Sequence, residues 1–203
     1  MGKIFQIGFN RCGTRSICHF FDKHKIPVIH WDNGNLAATI RSNDLAGEEL
    51  LKGYEKFTLY SDIIDKWAHE HPFATSQYYK KLDIQYPGSK FIFNDRPVED
   101  WIQSRLRHSR GQFAKDFQKH LEINEEQLKQ IWRDEYIKHK LDVYEYFTDR
   151  DHDLLKYSIA KDSILKLTTF FNEYRLNPKL WGNVQKNSKL RSRTYVRGVS
   201  SWL

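Results

Sequence analysis

The stretch that most constrains the fold is the opening one, Lys3 to Phe21, reading KIFQIGFNRCGTRSICHFF. Lys3 to Ile7 is a short apolar, β-prone run, Gly8 to Thr14 is a turn rich in glycine and polar side chains, and Ser16 to Phe21 begins a helical pattern. A parallel strand feeding a helix through such a loop aims backbone N–H groups and the positive end of the helix dipole at one spot beyond the sheet. That spot suits a phosphate or a sulfate. Gly8 and Gly13 let the backbone approach the anion, Thr14 and Ser16 add hydroxyls, and Arg11 and Arg15 add charge. A glycine turn that binds nothing fits the same residues. The triphosphatase form of the loop is G-x-x-x-x-G-K-[ST], whose lysine reaches the β/γ-phosphates. Gly8 and Gly13 keep its glycine spacing, but Thr14 stands where the lysine belongs, which argues against a kinase or ATPase.

At 203 residues the chain has the length of one domain with its own core. The aromatic share of 15% and charged share of 29% exclude a disordered chain. A net charge of +7 favours anionic partners without separating nucleic acid from a phosphorylated cofactor. Part of the excess is local: Lys186, Lys189, Arg191, Arg193 and Arg197 crowd the end of the chain, and no acidic residue follows Glu173. The cysteines, Cys12 and Cys18, form no CxxC pair, which fits a reducing compartment and no structural zinc. Cys18 reads as packed on the first helix, and Cys12, in a cationic loop, as either structural or a reactive thiol. Lys3 is followed by only a few apolar residues before Asn10 and Arg11, and no apolar run reaches membrane-spanning length. The expectation is a soluble, cytoplasmic protein with no membrane partner.

After a helix over roughly 13–24, Ile26 to His30 is a second strand, and Trp31 to Asn35 a turn. A strand ending in His30 beside the first delivers that histidine to the carboxyl edge, where ligands bind in open α/β sheets. It suits a general base, although a strand-end histidine bonded to a carbonyl reads the same. Helices are expected over Asn35 to Ser42 and Asp44 to Lys52, each opened by a capping residue. Lys56 to Tyr60 is a third strand, which places Asp62 at the same edge, either facing the anion or capping a helix from Ile63. Tyr78 to Gln85 reads as a helix stopped by Pro87-Gly88, and Lys90 to Asn94 as the fourth strand. Arg96 follows in a turn. A helix from Val98 to about His108 carries Ser104 two turns on, within reach of the same phosphate. From Gln112 to about Asp149 a helical cover is expected, its aromatic stripe (Phe113, Phe117, Trp132, Tyr136, Tyr144, Phe147) read as core. Asp153 to Tyr157 is a fifth strand, Lys161 to Tyr174 a helix capped near 160–162, and Asn177 to Leu203 a basic segment read as a flap over a ligand or a solvated tail. His69 and His71 read as surface residues.

Two of these stretches resemble the sulfotransferases that use 3'-phosphoadenosine 5'-phosphosulfate. The first is the 5'-phosphosulfate loop, a strand followed by G-x-x-[KR]-x-G-T-[TS]-[SA]-[LI], found as Gly8-Phe9-Asn10-Arg11-Cys12-Gly13-Thr14-Arg15-Ser16-Ile17. The second is the 3'-phosphate motif, a strand running into an arginine with a serine eight residues later, found as Lys90 to Asp95, Arg96 and Ser104. Tyr86 to Ile92, Trp101 and Asp153 to Phe171 are similar to the branch with short sulfotransferase domains, and the likeness spans roughly residues 3–175. It implies a P-loop α/β/α fold of three layers with a central, mostly parallel sheet and a helical cover, in a single domain over 1–203; the basic segment 177–203, read from its composition as a flap or a solvated tail, is expected to be able to flex. It implies Asn10, Arg11, Cys12, Gly13, Thr14, Arg15 and Ser16 around the 5'-phosphosulfate, and Arg96 and Ser104 at the 3'-phosphate. Arg11 would stabilise the leaving oxygen, with His30 or Asp62 as base. No metal is expected, because fixed cations and N–H groups suffice for a sulfuryl group. The implied partner is a small-molecule or glycan acceptor, with no nucleic acid; nothing in the sequence sets an oligomeric state.

The departures are also specific. Arg11 replaces the loop lysine of the cytosolic branch, Asp62 stands where that branch has its histidine base, and its C-terminal glycine-rich segment has no clear counterpart, with Lys186 and Lys189 as candidate substitutes. The segments expected to line an acceptor pocket, Trp31 to Asp44, Ile63 to Ser76 and Arg107 to Phe117, are the least family-like. Sugar, lipid, phenol and peptide acceptors all fit. Two other classes compete: a P-loop kinase-like protein, which needs ATP and Mg²⁺, and a non-catalytic basic module that binds any polyanion.

Overall fold

The computed structural model describes residues 2–65 and 74–182. In chain order its elements are β1 (Ile4–Gln6), α1 (Thr14–Lys23), β2 (Val28–His30), α2 (Asn35–Leu45), β3 (Leu59–Ser61), α3 (Ala74–Gln85), β4 (Lys90–Asn94), α4 (Val98–Leu106), α5 (Gln112–Leu121), α6 (Glu125–Tyr146), β5 (Leu154–Tyr157) and α7 (Ile164–Phe170). The strands form one sheet in the order β2-β3-β1-β4-β5, and every pairing is parallel. The expected α/β class with a central parallel sheet is what the chain forms.

Strand alternation explains the layering, since successive side chains point to opposite faces. Phe5, Ile29, Tyr60, Phe91 and Phe93 pack on one face against α2, α3 and α6. Ile4, Val28, Leu59, Ile92, Leu155 and Tyr157 pack on the other against α1 and α7. A sheet covered on both faces accounts for strands that read as continuous apolar runs. Each fully buried phenylalanine contributes about 1.5–3 kcal/mol. A third cluster, with Phe9 and Cys12 from the first loop, Trp101 from α4, Phe113 and Phe117 from α5, and Trp132 and Tyr136 from α6, roofs the carboxyl end of the sheet. The aromatic stripe is core, as its spacing predicts.

Three helix boundaries differ from expectation. No helix covers 46–52: α2 runs on to Leu45, and the Asn43 side chain then donates to the carbonyls of Leu50 and Lys52 at 3.1 and 3.0 Å. Those bonds turn the chain back and bury Leu50 and Leu51. The cover over 112–149 is two helices. Glu122, at φ 54°, ends α5, and Asn124 and Gln127 form a reciprocal capping box that starts α6. The last helix is shorter than its pattern: Ser163 caps it, and it gives way to a 3₁₀ turn at Asn172–Tyr174. His69, His71, most of the stretch 63–76, and all of the basic segment beyond Gly182, with Lys186 and Lys189, lie outside the described residues.

Candidate functional site

The carboxyl ends of β1, β2, β3 and β4 meet at one edge, each carrying part of the site. The loop after β1 is pinned to β4 by Asn94, whose Oδ1 accepts from the Gly8 N–H and whose Nδ2 donates to the Phe9 carbonyl, both at 3.1 Å. The approach is so close that a Cβ on Gly8 would lie 2.4 Å from the Asn94 carbonyl oxygen. Trp101 of α4 donates its indole N–H to the Asn10 carbonyl at 2.9 Å. His139 of α6 bonds through Nε2 to the Ile7 carbonyl at 2.7 Å. Gly13, at φ 85°, then turns the chain into α1, where the Ser16 N–H donates to its carbonyl at 3.1 Å. Thr14 and Ser16 are buried in this first turn, and Arg15 is half-buried beside them.

The two arginine motifs touch. Arg11 donates from Nε to Ser104 Oγ at 3.2 Å, and Arg96 donates from Nη1 to the Arg11 carbonyl at 3.1 Å. Arg11 itself sits at φ 67°, the kind of backbone conformation that persists where surrounding contacts over-determine it. Burial pulls its guanidinium below the ordinary arginine value, opposed by Asp62 and reinforced by Arg96. Behind Ser104, the Arg105 guanidinium lies 3.9 Å from the Trp132 ring centroid and 4.7 Å from that of Trp101, which ties α4 to the aromatic roof.

His30 and Asp62 are also brought together. His30 pairs with Ser61 in the β2–β3 register, so Asp62 follows directly. His30 Nε2 lies 3.3 Å from Thr14 Oγ1 and 3.5 Å from Asp62 Oδ2. Asp62 takes φ 55°, and its buried Oδ1 has no hydrogen-bond partner among the described residues. No helix starts at Ile63, so Asp62 is not a cap. Burial lowers the His30 pKa below the usual 6.5, with Asp62 opposing, and raises that of Asp62, with His30, Arg11 and Arg15 opposing. Desolvation therefore leads on both sides of the pair, and the imidazole is neutral near neutral pH. Immediately after His30 the chain passes through a left-handed turn, Trp31 to Gly34, held by the Tyr54 hydroxyl donating to Asp32 at 2.6 Å.

Cys12 is not a reactive thiol. It points into the aromatic roof, and burial pushes its pKa up to about 12. Sequence reasoning also missed several residues of the edge. Asn94 ends β4 by the same rule that singled out His30. Tyr136 and Lys140 had no local signal: they lie in the middle of a long helix and reach Asp95, at 2.7 Å each, only through tertiary packing.

The site is thus a parallel α/β sheet edge that carries a glycine-bearing loop, two arginine motifs in contact and an adjacent histidine. The chain matches the sulfotransferase domain model over residues 3–156 and belongs to that family; it is a transferase of sulfuryl groups. No curated protein matches it. Among the described residues no helix is long and apolar enough to cross a membrane, and no three His, Cys, Asp or Glu side chains are grouped to hold a metal ion.

Proposed function

We propose that the chain moves a sulfuryl group from 3'-phosphoadenosine 5'-phosphosulfate to a hydroxyl or amine of a small-molecule or glycan acceptor. The observation that carries the reading is the junction at Arg11, whose side chain meets Ser104 while its carbonyl meets Arg96. Two motifs far apart in sequence thus meet, and their contact supports a donor charged at both ends spanning them. The hydroxyls of Thr14 and Ser16 in the first turn of α1 suit the same donor.

When bound, the donor supplies the sulfuryl group and departs as adenosine 3',5'-bisphosphate. In this reading Arg11, with the first N–H groups of α1, holds the charge that grows on the leaving oxygen. Asn10, Cys12, Gly13, Thr14, Arg15 and Ser16 shape the cradle, and Arg96 and Ser104 serve the 3' end. His30 Nε2 takes the acceptor's proton, because the imidazole is kept neutral and its natural pKa range suits a base. Asp62 orients it and offers the unsatisfied Oδ1 to the incoming hydroxyl or amine. Two free cysteines fit a reducing, cytoplasmic setting.

The test is transfer of labelled sulfate from the donor to a panel of phenols, alcohols, amines and glycans in the presence of a chelator. The expected result is a labelled product that disappears in Arg11→Ala and His30→Gln. No product across the panel, together with Mg²⁺-dependent binding of ATP, would favour the kinase-like alternative instead.

A further inference from the structure

β1 ends at Gln6, and Ile7 still pairs its N–H with the Ile92 carbonyl of β4 at 2.9 Å. The next peptide group, between Ile7 and Gly8, leaves the ladder and opens the anion loop. Its carbonyl oxygen accepts from His139 Nε2 on α6 at 2.7 Å, from a residue 132 positions further along the chain. Its N–H donates to Asn94 Oδ1 on β4 at 3.1 Å. A peptide group is planar, so two side chains that grip its two polar ends fix the plane from which the loop departs. Asn94 alone would leave that plane free to rotate about one hydrogen bond. His139 supplies the second.

The surroundings of the imidazole suit it to that task. A carbonyl only accepts, so Nε2 carries the proton. Burial lowers the pKa of His139 below the usual 6.5, with the bond to Ile7 and the charge of Asp142 opposing, so the ring is neutral near neutral pH. His139 is 4% exposed, and the rings of Phe9, Tyr79 and Phe93 stand 4.9, 5.7 and 5.7 Å from it. A side chain enclosed this way cannot change rotamer without moving its neighbours, so its donor is preset. An aliphatic or aromatic side chain would fill the same space with no polar group to desolvate. The use of an imidazole here is therefore the bond it makes.

We infer that His139 is a positioning residue for the 5' end of the donor: with Asn94 it clamps the Ile7–Gly8 peptide and so holds the loop N–H groups in the arrangement an incoming anion needs. The inference rests on the donor proposed above, and it gives a part in binding to α6, which carries neither motif. His139 acts through the backbone and not on the donor itself. Without it the loop samples other orientations, and the donor must order the loop on binding, at a cost in affinity. That cost falls on the 5' end, because the 3' end draws on contacts outside the loop.

The experiment is calorimetric titration of the full chain with adenosine 3',5'-bisphosphate, adenosine 5'-monophosphate and adenosine 3'-monophosphate. Wild type is compared with His139→Phe, which keeps a ring and drops the donor, with His139→Asn, whose amide stops short of the carbonyl, and with His139→Gln, whose amide N–H reaches as far as Nε2. In the Phe and Asn variants the bisphosphate and the 5'-monophosphate should weaken about three- to tenfold, the size of one lost hydrogen bond. The 3'-monophosphate should change less than about twofold, and His139→Gln should hold all three within about twofold of wild type. Wild-type binding in the Phe and Asn variants would overturn the inference while leaving the donor assignment standing. Equal weakening of all three nucleotides would also overturn it, because the fold would then be loosened as a whole, and so would a Gln variant as weak as the other two. Failure of wild type to bind the bisphosphate would remove the donor assignment itself and this role with it. Should melting curves show that His139→Phe does not fold, the Asn and Gln variants decide by the same criteria.

Discussion

Arg11 Nε donates to Ser104 Oγ over 3.2 Å, joining residues 93 apart in the chain. The bond fixes the loop arginine through a helix that belongs to the other motif. Because the Arg96 guanidinium also holds the Arg11 carbonyl, the loop has contacts from the β4 side on both its side chain and its backbone. An arginine held this way gives up less rotamer freedom when an anion arrives, which is preorganisation in the sense that matters for charge stabilisation.

Ser104→Ala removes that restraint and one hydroxyl, with little packing lost because the side chain is only half-buried. A hydrogen bond of this kind is worth about 0.5–1.5 kcal/mol. The donor KM should rise about three- to tenfold, with the melting temperature lowered by about 1–6 °C. Initial-rate kinetics and a thermal melt check both.

Gly8→Ala tests the close approach of loop and strand. The added Cβ would meet the backbone of Asn94, which cannot swing aside as a side-chain tip can. Overpacking of this kind costs about 1–3 kcal/mol. The variant should melt several degrees lower and lose donor binding, whereas a wild-type melting curve would show that the loop can shift freely.

Much of this was legible in the sequence, and the reasons are local. The run KFIFN reads as a strand because its apolar and β-prone residues need no tertiary help, and a strand end followed by Asp95-Arg96-Pro97 places Arg96 at the carboxyl edge. His30 and Asp62 follow from the same edge rule. What was not legible depends on packing between distant elements. Nothing near Ser104 says that it meets Arg11 and not Arg96, and nothing in the helical pattern of 125–146 says that Tyr136 and Lys140 turn toward Asp95. For Cys12 the sequence left a structural and a reactive reading open, and the loop's own fold decides for the structural one by burying it under the aromatic roof.

Transfer should fall on acidification. The lowered pKa of His30 means that the active, neutral imidazole persists below the ordinary value of 6.5 and is lost only at lower pH. The rate should be level through neutral pH with an acid limb below 6.5, and His30→Gln should remove the residual pH dependence along with most of the activity. The same shift acts on stability: the contribution of His30 is full above its unfolded value and is lost as pH falls through the lower native one.

Asp62 has the opposite sign. Its raised native pKa means that its contribution is present below the unfolded value of 3.8 and is lost as pH rises through the native one, so the carboxylate is a cost at neutral pH. Asp62→Asn keeps a residue that tolerates positive φ and removes the buried charge. Activity should drop while the melting temperature at neutral pH rises, about 2–4 °C for each kcal/mol recovered. A destabilised variant with unchanged pH dependence would contradict the assigned sign.

Thiol reagents offer a further check. With both cysteines buried and the Cys12 pKa at about 12, the native chain should resist alkylation at neutral pH and react at both positions only after unfolding. Rapid labelling of Cys12 in the native state would mean that the loop opens.

The most direct measurement is titration of adenosine 3',5'-bisphosphate against ATP into wild type, Arg11→Ala and Arg96→Ala. The account predicts that the bisphosphate binds selectively without Mg²⁺, and that each single substitution weakens it by about ten- to a hundredfold, since each removes a charged contact to the same ligand. Equal affinity for ATP, or an Arg96→Ala protein that binds the bisphosphate as wild type does, would contradict it.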